Sequence, residues 1–448
     1  MSELKTNVKQ DGFFESQFKL AQHGTNLKTE FLAGLTTFLT MAYIIFVNPN
    51  ILSNAGMDAG AVYYATIFGA ILGTLCMAFA ANYPFALAPG MGLNAFFAFT
   101  VVIGMGVSWQ IALGLVLIEG VIFIILSVLP FREMIVNCIP MSLKSSIAAG
   151  IGLFIAFIGL QGAGLVVNDD AVLVGVGEII TGQGLIALLG LLIIGILRAN
   201  KVKGALLWGI LAATVIGLFN GVTPIPEKIV EIPSFANWAP VFGKLDLGGA
   251  WDGIMNGTLI TALVAFLFVD MFDTAGTLVG VSTQAGYLDD EGNLPKASRA
   301  LFADAIGTTG GAIFGTSTVT TYVESASGVS EGGRTGLTGL FVAAFFLLAL
   351  FFKPLIGIVP AAATAPALIF VGTMMMKNAI NIKWDDITEM LPAFITMIAM
   401  PLTYSIAEGI ALGFILYPLM KLFTGKGKKV HWLVYLLGAI FLAKYIWA

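Results

Sequence analysis

The sequence predicts an all-α polytopic membrane protein, and three observations predict it. The 448 residues are 58% hydrophobic and only 11% charged, with a mean hydropathy of +0.93. Soluble globular proteins carry about 25% charged residues because their surface must meet water, so a chain this poor in Lys, Glu and Asp is dressed for lipid. Apolar runs long enough to cross a hydrocarbon layer of about 30 Å recur along the whole chain. Lys and Arg collect in alternate connections between those runs, as the positive-inside rule requires.

Residues 1–30 are polar and amphipathic rather than an apolar signal core, and are expected to be a cytoplasmic segment whose following helix starts insertion. The first half, 31–220, holds Phe31–Val47, Gly60–Ala81, a shorter Gly90–Gly104, Trp109–Leu129, Leu143–Gly164, Gly184–Leu197 and Gly204–Asn220. A polar, Pro-bearing stretch, 221–255, is expected to be an outer loop. The second half, 256–424, holds Asn256–Phe272, Ala297–Phe314, a broken piece at Tyr322–Val329, Thr335–Phe352, Ala361–Met376, Ile387–Met400 and Ile406–Phe423. Residues 425–448 add a basic segment and an extra apolar helix, Trp432–Trp447, whose length leaves open whether it spans.

The inner connections then hold Arg132, Lys144, Arg198, Lys201, Lys203, Lys296, Arg299, Arg334, Lys377 and Lys383, and the cluster Lys421, Lys426, Lys428 and Lys429. The outer ones carry Lys228, Lys244 and Lys353. This places the N-terminus in the cytoplasm and the chain in the cell (inner) membrane. Two halves of about seven spans, an odd number, must insert in opposite directions. Such inverted repeats put a solute site at mid-membrane where the halves meet. A faint internal echo, IGLFIAFIGLQGAG (151–164) against LIFVGTMMMKNA (368–379), fits that reading.

Composition also excludes. A net charge of −4 and a pI near 5.3 give no basic face for nucleic acid. Cys76 and Cys138 offer no disulfide framework. The two histidines, His23 and His431, lie near the ends of the chain, so GVSEG (328–332) is no nucleophile elbow and no metal site is expected. GMGLNA (90–95) lacks a βαβ unit, and no phosphate-binding Lys motif occurs. An enzyme and a cofactor are both disfavoured. Membrane lipid and a small-molecule solute are the expected partners, and a homodimer is left open.

Two broken helices and a few intramembrane acids carry the chemistry. FALAPGMGLNAFFAF (85–99) sets Pro89, Gly90 and Gly92 in an apolar region. Pro removes a backbone donor and Gly releases the helix, so an extended piece followed by a half-helix is expected. GTSTVTTYVESASGVSEGGRTG (315–336) is its counterpart, with five Thr or Ser residues before Tyr322 and Val323. Unwound backbone at membrane depth survives only inside protein or beside a water-filled cavity, so two breaks point to one shared cavity.

Glu324 at the second break should face that cavity, or else cap a helix near an interface. In FVDMFDTAGTLVG (268–280), Asp273 and Thr277 share a helical stripe, with Gly276 expected to allow close approach. A carboxylate there can accept two N–H groups from a planar heterocycle or take up a proton. Asp270 either joins it or braces it. Asp304 either neutralises a helix contact or passes a proton. Asn94, among Phe96, Phe97 and Phe99, offers a carboxamide beside aromatic faces. Thr36, Thr37 and Thr40 either line a path or hydrogen-bond within a helix contact. With two interior carboxylates counted and no interior Lys or Arg, an anionic solute is disfavoured.

Four strings, GLTTFLTMAYIIFVNP (34–49), APGMGLNAFFAF (88–99), FDTAGTLVG (272–280) and TSTVTTYVESASGV (316–329), together resemble the AzgA-like branch of the nucleobase–cation symporter-2 (nucleobase–ascorbate) permeases. The resemblance runs from about Phe13 to the end of the chain. It implies fourteen spans in two inverted seven-span repeats, core and gate domains, and short antiparallel strands interrupting spans three and ten. It also implies proton-coupled purine uptake by alternating access, hypoxanthine and guanine in one group and adenine in another. The span-eight carboxylate falls on Asp273 and the span-ten carboxylate on Glu324, both expected to hold the base and the former also linked to the proton. Beside what the resemblance carries, Gly92, Asn94, Thr277 and Val323 are expected as further substrate positions, and Glu324 and Asp304 as further proton positions. Uracil-type relatives have His where this chain has Thr277. The superfamily's Asn after the span-ten carboxylate is Ser325 here, and its following Gly is one residue late, at Gly328. TAGT and TSTVTTYVES look most like the hypoxanthine/guanine group. The rival readings are an adenine permease of the same branch, a uracil, xanthine or anion carrier on the same fold, a passive channel, and an intramembrane enzyme.

Overall fold

A computed structural model describes residues 12–128, 139–180, 182–225, 228–289 and 294–447. Arg132 and Cys138 lie outside the described residues. A short helix, α1 (Phe13–Phe18), precedes the first membrane segment, α2 (Leu27–Met41) with α3 (Ile44–Ser53). The segment starts four residues before the apolar run because the Asn26 side chain caps it, accepting from Thr29 N at 3.0 Å. Then come α4 (Ala59–Ala80), β1 (Leu87–Pro89), α5 (Met91–Ala95) running into a π-helical turn at Phe96–Gly104, α6 (Trp109–Val128) and α7 (Met141–Gly162). An exposed hairpin, β2 (Val166–Asp169) and β3 (Leu173–Val176), leads to α8 (Gly182–Ala199) and α9 (Ala205–Phe219).

The connection expected to be all loop contains a helix, α10 (Leu247–Met255). Asp246 caps it, accepting from Gly249 N at 2.9 Å, and its small residues pack on α6. The second half is α11 (Ile260–Ala285), α12 (Ala297–Phe314), β4 (Val319–Thr321), α13 (Ser325–Ser330), α14 (Gly336–Ala349), α15 (Ala361–Met375), α16 (Ile387–Leu402) and α17 (Ile406–Phe423). A last helix, α18 (Trp432–Trp447), lies on α17, with Gly438 against Phe414 and Pro418. Among the described residues, nine helices are long and apolar enough to cross a membrane.

The helices pack in two groups. In one, α4 touches both α12 and α14, α12 touches α6, and α14 touches α2. In the other, α7 touches α15 and α16, α8 touches α9 and α15, and α16 touches α17. Inside the first group β1 and β4 cross antiparallel, Leu87 opposite Thr321 and Pro89 opposite Val319. The strands fit because the helices beside them are narrow. A Cβ on Gly73 of α4 would stand 3.1 Å from both Leu87 Cβ and Val319 Cγ1, and one on Gly307 of α12 would stand 3.1 Å from Gly73 Cα. Small residues at helix contacts let backbones approach this closely in membranes.

Charge inside the bundle is richer than the two carboxylates counted from sequence. Glu30, Glu119, Asp270, Asp304 and Glu389 are all buried. So is Lys421, assigned from sequence to the basic inner cluster. Its Nζ lies 2.6 Å from Glu389 Oε1 and donates to Thr388 Oγ1 at 2.8 Å, clasping α17 to α16.

Candidate functional site

Short unwound strands leave backbone groups that must be satisfied internally. Side chains of α4 and α12 do so. Thr74 Oγ1 accepts from Leu87 N at 2.9 Å and donates to Leu87 O at 3.1 Å, while Thr308 Oγ1 donates to Val319 O at 2.9 Å. Asp304, fully buried, accepts from Thr321 N and Thr321 Oγ1, both at 2.9 Å, and from Thr274 Oγ1 at 2.9 Å. Of the two roles open to Asp304 in the sequence, the geometry fits the bracing one: its Oδ1 holds the second break and its Oδ2 ties α12 to Thr274 of α11.

Asp304→Ala is expected to leave the Thr321 N–H and the Thr274 hydroxyl unsatisfied in the interior, at about 1–3 kcal/mol each. The detergent-solubilised protein should then melt at a clearly lower temperature than wild type. Melting at the wild-type temperature would refute the bracing role.

Two acids lie on the elements beside β4. Asp273 lies midway along α11, and Glu324 follows β4 directly, before α13. α11 packs against α13, and the charge of Glu324 is felt at Asp273. Glu324 Oε1 accepts from the Tyr43 hydroxyl at 2.7 Å. Tyr43 stands at the turn between α2 and α3. Asp273, half-buried, receives no hydrogen bond from the described residues, and Thr277 lies one turn on, also half-buried. Val323, beside Glu324, is 50% exposed. One carboxylate is therefore held by a tyrosine and the other is left for something else to bind.

The remaining expected site residues sit behind this pair. Asn94 is fully buried, and its Oδ1 accepts from Ser317 Oγ, tying the first break to the second, while its Nδ2 has no partner among the described residues. The Asn94 carboxamide thus points at protein rather than at an open aromatic face. Phe96 and Phe97 are likewise fully buried, Phe96 packing on Phe266. Gly92 marks the contact between the two helix groups, since a Cβ there would stand 2.7 Å from Ile151 Cγ2 of α7. Gly276 faces open space, so it allows no close approach of a helix.

Of the two roles open to the Thr36, Thr37 and Thr40 stripe, the helix contact is the one formed. Thr40 Oγ1 donates to its own helix, at 2.8 Å to Thr37 O, and Gly328 of α13 presses against Thr37 and Ala33.

Three buried polar residues escape a motif-based reading. Tyr43 is one. Glu30 is the second: its Oε1 accepts from Arg334 N at 2.9 Å, and its Oε2 accepts from Thr338 N at 3.0 Å, capping α14. Glu119 on α6 is the third, and its signal was present, as a lone acid in the apolar run IALGLVLIEGVIFIILS. Among the described residues no group of three or more His, Cys, Asp or Glu could hold a metal ion.

A cavity of about 280 Å³ lies elsewhere along the seam between the groups, bordered by Asn54, Phe99, Gln161, Thr364 and Tyr404. Tyr404 adopts a left-handed backbone (φ 55°) and sets its ring edge-on to Phe99 at 5.7 Å.

Residues 28–412 match the model of the Permease family, Xan_ur_permease. The chain is 53% identical to a protein of Methanocaldococcus jannaschii, over 97% of its own length and 98% of the other's. It is 46% identical to the guanine/hypoxanthine permease PbuG of Bacillus subtilis, covering 96% of this chain and 98% of that one. Its identity to the adenine permease AdeQ of Escherichia coli is 44%, covering 98% and 97%. Among solved structures, the transmembrane domain of the cyanobacterial bicarbonate transporter BicA matches with a TM-score of 0.64 at 17% identity, over 87% of this chain and 97% of that one. That last likeness is one of fold.

Proposed function

This chain belongs to the Permease family and is a multi-pass membrane transporter rather than an enzyme, and on that premise we propose that it imports purine nucleobases, hypoxanthine and guanine first, by proton symport. What supports the reading is the pairing of Asp273 on α11 with Glu324 at the start of α13: the charge of Glu324 is felt at Asp273, which has no donor among the described residues, while Glu324 itself is held by Tyr43.

An ionised carboxylate only accepts hydrogen bonds. A bound solute must therefore present donors, and guanine offers two adjacent ones, N1–H and the 2-amino group. Hypoxanthine offers N1–H beside a carbonyl, which asks for one donor in return. The Thr277 hydroxyl, or a carboxyl that has taken up a proton, supplies it. Binding and protonation are thereby linked. Anions would meet an acidic interior and be repelled.

In this reading the two packed groups are a core domain, carrying both breaks, and a gate domain. Fourteen spans form two inverted repeats, with the N-terminus in the cytoplasm and the protein in the inner membrane. The base rides between Asp273, Glu324, Thr277 and Val323, and Asn94 and Ser317 lock the two breaks together behind it. Gly92 keeps the core smooth where it slides along α7.

Adenine is the second reading, favoured by the 44% identity to an adenine permease. Uptake of labelled hypoxanthine, in competition with guanine, adenine, uracil and xanthine and with or without a protonophore, tests both. Guanine should compete, adenine and uracil should not, and the protonophore should stop accumulation. Competition by adenine alone would turn the assignment to the second reading.

A further inference from the structure

Behind the strand crossing, Glu119 of α6 reaches Asp270 of α11. The two helices pack on each other, both side chains are fully buried, and each carboxyl feels the other. Neither Glu119 oxygen receives an N–H or O–H from the described residues, and neither does Asp270 Oδ1. Asp270 Oδ2 lies 3.2 Å from Thr308 Oγ1, but that hydroxyl has one hydrogen and lies closer, at 2.9 Å, to Val319 O. The carboxyl pair is thus short of donors by at least one. The charged groups facing it are themselves acids: Asp304 of α12, and Asp273, three residues along α11 from Asp270.

Two neighbouring carboxylates in the interior, with acids and no cation as their charged neighbours among the described residues, cannot both be ionised. One proton between them supplies the missing hydrogen and leaves a single negative charge. The pair is also wired to the substrate site. Asp270 and Asp273 are neighbours on one helical face, and the Thr308 hydroxyl, which donates to Val319 O of β4, can accept a hydrogen bond from the shared proton on Asp270 Oδ2, 3.2 Å away. A base neutralising or engaging Asp273 changes the field on the pair.

We propose that Glu119 and Asp270 share one exchangeable proton, and that this pair is a second coupling site, separate from the carboxylates that hold the base. The inference rests on the symport reading above.

The test uses the purified full chain in proteoliposomes. Labelled guanine is followed in two modes: exchange against internal guanine, and accumulation driven by a pH gradient. Glu119→Gln gives Asp270 a permanent amide N–H, imitating the loaded pair. Exchange is expected within about twofold of wild type, while gradient-driven accumulation falls at least tenfold. Glu119→Gln that accumulates guanine like wild type overturns the proposal. So does loss of both modes in a protein that still elutes as a single folded species, since Glu119 would then serve binding or movement. Wild type that ignores the pH gradient refutes the symport reading instead.

Asp270→Asn is the second variant, with the same expected split. If neither is recovered folded, infrared spectra of wild type carry the test. A protonated-carboxyl C=O band that titrates is expected, and the lack of one overturns the proposal.

Discussion

Asp273→Asn is expected to reduce guanine uptake by about 100-fold or more, and hypoxanthine uptake by about tenfold or more, while leaving the protein's melting temperature and membrane insertion unchanged. Hydrogen bonds to a charged group contribute about 1.5–3 kcal/mol each, and each 1.4 kcal/mol is tenfold in affinity. A carboxylate accepting two N–H groups of a base therefore accounts for two to four decades. Asparagine keeps the shape of the side chain but replaces one acceptor with a donor that faces the base's own N–H. Stability is spared because Asp273 receives no hydrogen bond from the described residues. This sets it apart from Asp304, whose oxygens accept three. The pair of readouts, uptake and melting temperature, tells a binding acid from a bracing one. Uptake by Asp273→Asn at the wild-type rate would refute its role.

Glu324→Gln is expected to have an effect of the same size, and Tyr43→Phe a smaller one in the same direction. The Tyr43 hydroxyl donates to Glu324 at 2.7 Å, which fixes the carboxylate's direction and leaves its second oxygen for the base. Losing that donor forfeits about one charge-assisted hydrogen bond, so roughly a tenfold rise in KM for guanine is expected with little change in maximal rate. If Tyr43 instead only packs α2 against α13, Tyr43→Phe will leave KM unchanged. Full uptake by Glu324→Gln would remove the second break from the site altogether.

Much of this was written in local sequence. Hydropathy marked the spans, because lipid demands continuous apolar runs. Pro89, Gly90 and the Thr- and Ser-rich stretch before Tyr322 marked the breaks, because backbone there needs unusual partners. Asp273 and Glu324 stood out because acids at membrane depth are costly and so are kept for a task.

What sequence hid was long-range pairing. Nothing in the neighbourhood of Tyr43 says that it meets Glu324, 281 positions away. Nothing beside Glu30 says that it caps a helix through Thr338, 308 positions on. Thr36, Thr37 and Thr40 were ambiguous for the same reason: Gly328, which makes them a helix contact, lies in the other half of the chain. Helix ends misled where polarity interrupted hydropathy. The apolar run in span eight stops at Phe272, but α11 continues to Ala285, because Thr274 finds a partner on α12 inside the bundle.

The most direct measurement of the central idea is a cryo-electron microscopy structure of the protein with guanine bound. The base is expected between α11 and the start of α13, with its N1–H and 2-amino group within about 3 Å of the Asp273 and Glu324 carboxylates. Guanine seated instead in the cavity beside Phe99 and Tyr404, with neither carboxylate within hydrogen-bond reach, would contradict it.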